Sequence, residues 1–420
     1  MEAPPCLKKH VVAVPFPTRG HVNPMMNLCK FLASRTSDVI ITFVVTEEWL
    51  SYIESYPKPH TIRYATIPNV IPLESQILDD ICRFSQAIVT KMRDAFEQLL
   101  DQLNPPVTAI VADVELVWPT SVAHKRNIPV ALLWTMSASF FCTYLQLDYM
   151  LASGRRLAAD LLDEEADEHI SSSQLTDVRK LLQELDPTVL KIGLGPAIPF
   201  LELEPSSDSS TTDSDHIIKW LDFQPNMSVL YISVGSFLSM SRPQMEELAS
   251  ALKGSGIRFL WACRSEAEWL REKCGDKGLV VPWCDQLKVL CHGSIVGFWS
   301  HGGWNSTVEA CFAAVPILGF PIFLDQFSNC RHIAEEWKNG WKVGGERSES
   351  FVTKEEIVQV LEMVMDLESK EGKKIRDKAK ELKPLFRGAI AKGGSFNMNL
   401  DAFVQDILDV HGDLSPVEKP

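Results

Sequence analysis

Residues 283–326, WCDQLKVLCHGSIVGFWSHGGWNSTVEACFAAVPILGFPIFLDQ, restrict what this chain can fold into more than any other stretch. The apolar run Ile295-Val296-Gly297-Phe298-Trp299 has the length of a buried strand. A polar turn, Ser300-His301-Gly302-Gly303, follows, and Asn305-Ser306-Thr307 then precedes a helix-compatible run over 308–313. A strand that ends in a glycine-rich turn and enters a helix gathers backbone N–H groups and a positive dipole end at one point. That is an anion site, most often for phosphate. Residues 315–321 read as a second strand, with Asp325 and Gln326 just past its end, where open α/β sheets bind ligands.

The rest of the chain repeats the same rhythm. A strand over 11–17 leads to Thr18-Arg19-Gly20-His21-Val22-Asn23-Pro24, where Asn23 and Pro24 suit a helix start and His21 stands at the strand's C-terminal edge. Further strands are expected at 39–45, 109–112 (ending on Asp113) and 129–134 (ending on Thr135), with helices near 79–102 and 117–125 between them. Residues 201–218, rich in Ser and Asp, read as a surface linker. The pattern restarts with a strand over 229–236, a helix with Pro243 near its start and Gly254 at its end, and strands at 258–262 and 279–281. Helices near 327–338, 353–367, 372–385 and 396–410 and a strand at 341–343 complete it. Alternating strands and helices imply α/β domains, each a doubly wound parallel sheet with helices on both faces.

The nine residues Trp283, Gln286, His301, Trp304, Asn305, Ser306, Glu309, Asp325 and Gln326 carry a specific resemblance. In identity and spacing they are similar to the nucleotide-sugar signature box of the plant secondary-product UDP-glycosyltransferases. The resemblance implies the GT-B architecture, two facing Rossmann-like domains with a cleft between them. It implies an acceptor-binding domain over 1–200, a UDP-sugar domain over 219–390, and a C-terminal helix in 391–420 that packs back toward the first domain. It further implies that Trp283 stacks on uracil, with Cys284 backbone groups at the base edge, and that Gln286 and Glu309 hold the ribose. His301, Asn305, Ser306 and Ser236 would cradle the pyrophosphate. Trp304, Asp325 and Gln326 would face the sugar hydroxyls, with Gln326 favouring glucose and Thr135 reaching the 6-hydroxyl. His21 matches the family's catalytic base and Asp113 its orienting carboxylate, with Glu115 a weaker alternative partner. The activity implied is transfer of glucose from UDP-glucose, a co-substrate, to a small lipophilic hydroxylated acceptor, with inversion to a β-glucoside. The competing reading is a relative that binds UDP-sugar without transferring it.

Composition bounds these readings. A formal net charge of −14 argues against a nucleic-acid or anionic-membrane surface, which needs clustered Lys and Arg. The sequence contains no run with the length of a membrane span. The 10 cysteines form no C-x-x-C pair, and several (Cys29, Cys142, Cys311) lie in apolar surroundings, so reduced, buried thiols in the cytosol are expected. A metal site among Cys291, His292, His301 and Cys330 fails on spacing. The chain is therefore expected to be a cytoplasmic monomer that uses no metal.

For the acceptor, Phe16, Trp118, Met136, Phe140 and Phe141 are candidate pocket residues, each equally suited to a core. The chain departs from the family in three ways, one of them a smaller gap after Pro72 in another acceptor-facing loop. The interval between Tyr149 and Gly195 is short, which removes an acceptor loop and a sheet strand, and 189–194 is the only strand-like run left there. Gly302 and Ala314 stand where Cys and Gly are commoner; as small residues they are expected to change little.

Overall fold

The computed structural model describes residues 9–71, 81–143, 190–192, 198–203, 215–235, 240–264, 266–344 and 351–409. Two compact units divide the chain, one formed by Met1–Gly195 with Phe396–Pro420 and the other by Pro196–Ser395. Each holds one six-stranded sheet.

In the first unit the strands are β1 (Lys9–Val14), β2 (Val39–Thr46), β3 (Ile62–Ile67), β4 (Ala109–Asp113), β5 (Val130–Leu133) and β6 (Leu190–Ile192). They pair in the order β3-β2-β1-β4-β5-β6, all parallel. Strand β4 is buried at every position, as a sheet covered on both faces requires. The strand-like run left at 189–194 forms the edge strand β6, where Leu190 and Ile192 pair with Ala131 and Leu133. Most of the shortened interval, 144–189 and 193–197, lies outside the described residues.

The second unit runs β7 (Val229–Ser233), β8 (Arg258–Ala262), β9 (Gly278–Val281), β10 (Ile295–Ser300), β11 (Ile317–Gly319) and β12 (Gly340–Lys342), paired β12-β11-β10-β7-β8-β9. Counted from its own first strand, this is the same 3-2-1-4-5-6 order as in the first unit, the doubly wound arrangement of nucleotide-binding folds. Successive residues serve opposite faces. Leu230, Ile232, Phe259, Trp261 and Trp299 enter one core cluster, while Val229, Tyr231, Leu260 and Phe298 enter the other. The fold is GT-B in type, a parallel α/β sheet in each of two units.

Several boundaries differ from expectation. The first helix begins at Arg19, not Asn23, so His21 lies within its first turn and Pro24 inside it. The helix expected over 79–102 is Ile81–Ala87 and Arg93–Gln102 joined by a wider turn at Ile88–Met92. The helix after β7 spans Arg242–Ser255 and ends on Gly256 at φ 65°, the left-handed cap that glycine supplies, rather than on Gly254. Of the linker, 204–214 lie outside the described residues, and Asp215–Asp222 is a helix. The helix Glu47–Ile53, strand β3 and the helix Ala267–Lys273 were not foreseen. The last helix, Ser395–Asp409, belongs from Phe396 onward to the first unit. Phe396 packs edge-on against Phe31 at 5.0 Å, and Arg35 pairs with Asp401 at 3.1 Å.

Candidate functional site

In a doubly wound sheet the strand order reverses between the first and fourth strands, and the loops at their C-terminal ends diverge to leave room for ligands. In the first unit His21 stands in the first turn of the helix that follows β1, and Asp113 at the end of β4. Asp113 ends β4 with no exposure, and its Oδ2 lies 2.8 Å from Nδ1 of His21, whose side chain is 16% exposed. The other carboxylate oxygen accepts the Glu115 backbone N–H at 3.0 Å. Glu115 thus supports Asp113 through its backbone. With Nδ1 donating to the carboxylate, the imidazole lone pair sits on Nε2, the arrangement of an oriented general base.

The Phe16 ring lies 5.2 Å from the imidazole, and Phe84 stands edge-on to Phe16 at 6.0 Å. The hydroxyl of Thr135, a buried residue, lies 3.1 Å from His21 Nδ1, a contact that sequence reasoning missed. Trp118 is a core residue: it is 3% exposed, donates to the Ile88 carbonyl and packs on Phe96. Phe140 and Phe141 are half-buried and pack around Trp134, and Met136 is also half-buried. Cys142 is exposed rather than buried, whereas Cys29 and Cys311 are enclosed.

In the second unit the corresponding loops follow β7 and β10. Ser236 lies outside the described residues. The helix after β10 is Trp304–Ala313, so Trp304, Asn305 and Ser306 form its first turn rather than precede it. Its N-cap is Gly303, which brings no capping side chain, and its first turn holds no acidic residue, so the helix start suits an anion. The His301 imidazole is wedged between glycines. A Cβ on Gly235, at φ 91°, would come 3.1 Å from Nε2, and one on Gly303 would overlap the ring. Burial holds His301 down to about 4, so it is neutral near pH 7, and its enclosed Nδ1 has no hydrogen-bond partner among the described residues.

Gln286, Ser306 and Glu309 meet. Gln286 Nε2 donates to Glu309 Oε2 at 2.8 Å and to Ser306 Oγ at 3.0 Å, while its Oε1 accepts from the Tyr231 hydroxyl at 3.2 Å. Tyr231 was not foreseen; in sequence it is one apolar residue of a buried strand. Trp283, just past β9, is 41% exposed, as a stacking surface must be. The Cys284 thiol points into the core against Tyr231 and is pushed up to about 12 by burial, which leaves the residue's backbone for any polar contact. Trp304 packs against Trp337 at 6.2 Å.

Asp325 stands at the N-cap position of the helix Gln326–Arg331, and its side chain accepts from Asn329 Nδ2 at 2.9 Å rather than from the helix's first N–H groups. Gln326 uses its amide oxygen on the backbone N–H groups of Ile322 and Phe323, both at 2.9 Å. The two departures in the box are more than small-for-small changes. Gly302 stands at φ 77° with the Cys330 thiol packed where a side chain would go, and Ala314 takes φ 65° at a helix C-cap. Both are left-handed positions, which glycine alone occupies without strain.

Among the described residues no three His, Cys, Asp or Glu side chains stand together as a metal would need, and no helix is long and apolar enough to cross a membrane.

The family model "UDP-glucoronosyl and UDP-glucosyl transferase" matches residues 213–378, which include the whole box. The chain is 41% identical to UDP-glycosyltransferase 87A2 of Arabidopsis thaliana, over 98% of this chain and 99% of that protein. It is 30% identical to UDP-glycosyltransferase 75C1 of Solanum lycopersicum, over 96% and 99%. In structure it is similar to Os79 of O. sativa in complex with U2F and trichothecene, at 25% identity and a TM-score of 0.78 over 94% of this chain and all of that one. The fold is also shared with Medicago truncatula UGT71G1 complexed with UDP-glucose, at 24% identity and a TM-score of 0.74 over 96% and 99%.

Proposed function

The chain belongs to the plant UDP-glycosyltransferase family and is a glycosyltransferase, and from that premise we propose that it transfers glucose from UDP-glucose to a hydroxyl of a small lipophilic acceptor, with inversion. The observation that carries the reading is the 2.8 Å contact between His21 Nδ1 and the buried Asp113 carboxylate. It leaves Nε2 to take the acceptor's O–H proton as that oxygen bonds to the anomeric carbon. The bond from that carbon to the β-phosphate oxygen breaks on the opposite face, and its electron pair leaves with UDP. Asp113 stabilises the imidazolium so formed. A single in-line displacement of this kind inverts an α-linked donor to a β-glycoside.

The donor roles follow the arrangement in the second unit. Exposed Trp283 offers a face to uracil. Gln286 and Glu309, already joined, offer an amide and a carboxylate to the ribose diol. His301, Asn305 and the open helix start serve the pyrophosphate with neutral donors, so the reaction is read as independent of metal. Asp325 and the Gln326 NH2 group serve the sugar hydroxyls. An apolar acceptor suits the Phe16 side of His21, and the similar O. sativa protein is seen in complex with a trichothecene.

The test is a paired assay on wild type and His21→Ala with UDP-glucose and a panel of phenols and terpenoid alcohols. Transfer is expected to fall by about 10²–10⁴-fold while UDP binds as before. Retained transfer in the variant refutes the base assignment, and wild type that binds UDP-glucose but glycosylates nothing refutes the transfer reading.

A further inference from the structure

Asn329 lies in the helix Gln326–Arg331 and is 1% exposed. Its Nδ2 donates to two acceptors at once, the Gly302 carbonyl at 3.0 Å and Asp325 Oδ2 at 2.9 Å. One acceptor belongs to the turn that opens the Trp304–Ala313 helix, and the other is the carboxylate assigned to the sugar. The amide can take only one orientation, because turning it over would set its oxygen against two other oxygens. That orientation carries a penalty: Asn329 Oδ1 is buried without a hydrogen-bond partner among the described residues. A buried polar side chain kept at such a cost calls for an explanation beyond packing.

Geometry supplies one. The C=O and N–H of a trans peptide point in opposite directions, so holding the Gly302 oxygen on Asn329 turns the Gly303 N–H toward the other side of the turn. Thr307 Oγ1 supports the same carbonyl at 3.4 Å, and Gly302 N–H is held by Ser300 Oγ at 3.1 Å. The second Asn329 bond fixes the Asp325 carboxylate about its own side-chain torsion. We propose that Asn329 is a positioning residue for donor recognition, a clamp that sets the phosphate turn and the sugar-reading carboxylate in one geometry. The inference rests on the donor-site reading given above. It makes sugar discrimination depend on a side chain that touches neither sugar nor phosphate.

The experiment is Asn329→Leu, near in volume and lacking both donors and the orphan oxygen. It removes the orphan oxygen but also leaves the Gly302 carbonyl and the buried Asp325 carboxylate short of a donor, so the melting temperature is expected to fall by a few degrees with the fold retained. UDP affinity is expected to weaken by less than about fivefold, whereas kcat/KM for UDP-glucose falls by about tenfold or more. The ratio of kcat/KM for UDP-glucose over its 4-epimer, UDP-galactose, should collapse toward unity. Asn329→Ser keeps a donor that reaches only one of the two acceptors, and should show a smaller loss of the same ratio. An unchanged sugar ratio in either folded variant overturns the clamp, as does failure of both variants to fold, which assigns Asn329 to stability alone. Failure of the donor reading itself shows separately, as wild type that binds no UDP-sugar.

Discussion

Replacing Gly302 by alanine probes the turn at its tightest point. Two costs add. The backbone sits at φ 77°, where an L side chain costs about 1–2 kcal/mol. The new methyl would also overlap the thiol of Cys330, a fully buried residue, and overpacking of that kind costs about 1–3 kcal/mol. Together Gly302→Ala should destabilise the second unit by about 2–5 kcal/mol, a large share of the roughly 5–15 kcal/mol that holds a domain together. In a unit of this size that is a fall in melting temperature on the order of 10 °C. Cys330→Ala separates the two costs. Alone it loses the packing of one buried sulfur, about 1 kcal/mol. Combined with Gly302→Ala it removes the overlap and leaves only the backbone cost, so the pair should be coupled by about 1–3 kcal/mol in a double-mutant cycle. Urea unfolding of the four proteins gives all the terms. A cost below about 1 kcal/mol for Gly302→Ala, or additive behaviour with Cys330→Ala, refutes the claim that the thiol fills the space over this glycine. If the claim holds, residue 302 is glycine here because residue 330 is cysteine.

Three further outcomes are expected. Thr135→Val keeps the shape but deletes the hydroxyl 3.1 Å from His21 Nδ1; transfer should fall by about tenfold with UDP affinity unchanged, and an unaltered rate and pH profile would show the hydroxyl idle. Ala314→Gly relieves the φ of 65° at the helix C-cap and should raise stability by about 0.5–1 kcal/mol in the same unfolding assay, against which a loss would count. Acid should weaken the fold through His301 and His10, both held below the ordinary imidazole value by burial. The unfolded chain takes up protons below about pH 6.5 and the native one does not, so stability falls as pH drops from there toward about 4, by at most about 3 kcal/mol for His301. The denaturation midpoint should therefore slide between pH 7 and 5, and less steeply in His301→Asn; an equal slope in that variant removes His301 as the cause.

What could be read in the sequence was local. Strand β10, its turn and the helix after it lie in consecutive residues, so apolar run, glycines and helix formers announce them together. Strand β3 is half-exposed over Arg63, Tyr64, Ala65 and Thr66 and shows neither a buried run nor a clean alternation, so it passed unseen. The first helix start was placed late because Asn23 and Pro24 look like a cap, while the true N-cap, Thr18, makes no side-chain capping bond. Long-range partners are a different matter. No spacing rule links His21 to Asp113, which are 92 residues apart, and only the resemblance paired them. Tyr231 passes for a core residue because only its hydroxyl has another task. Asn329 could have been found, since it stands four residues after Asp325 on one helix face, where side chains meet.

The two units set one topology to two uses, and an imidazole shows how. In the first, His21 comes from the helix that follows the unit's first strand and faces the carboxylate at the end of its fourth strand, Asp113. In the second, the histidine comes from the end of the fourth strand, and what it faces after the first strand is Gly235. The reversal decides the chemistry. A buried carboxylate opposite the ring stabilises the positive charge that proton uptake creates, which is what the base role proposed for His21 requires. A glycine offers no charge and admits the ring so closely that burial keeps it neutral down to about pH 4. His301 is thereby confined to hydrogen bonding near the phosphate turn. Exchanging these surroundings tests the argument. Asp113→Gly should strip His21 of its catalytic power while leaving UDP affinity intact. Gly235→Asp should disrupt the donor half without creating a second base, because the new carboxylate has no room beside the ring and φ 91° strains any side chain there.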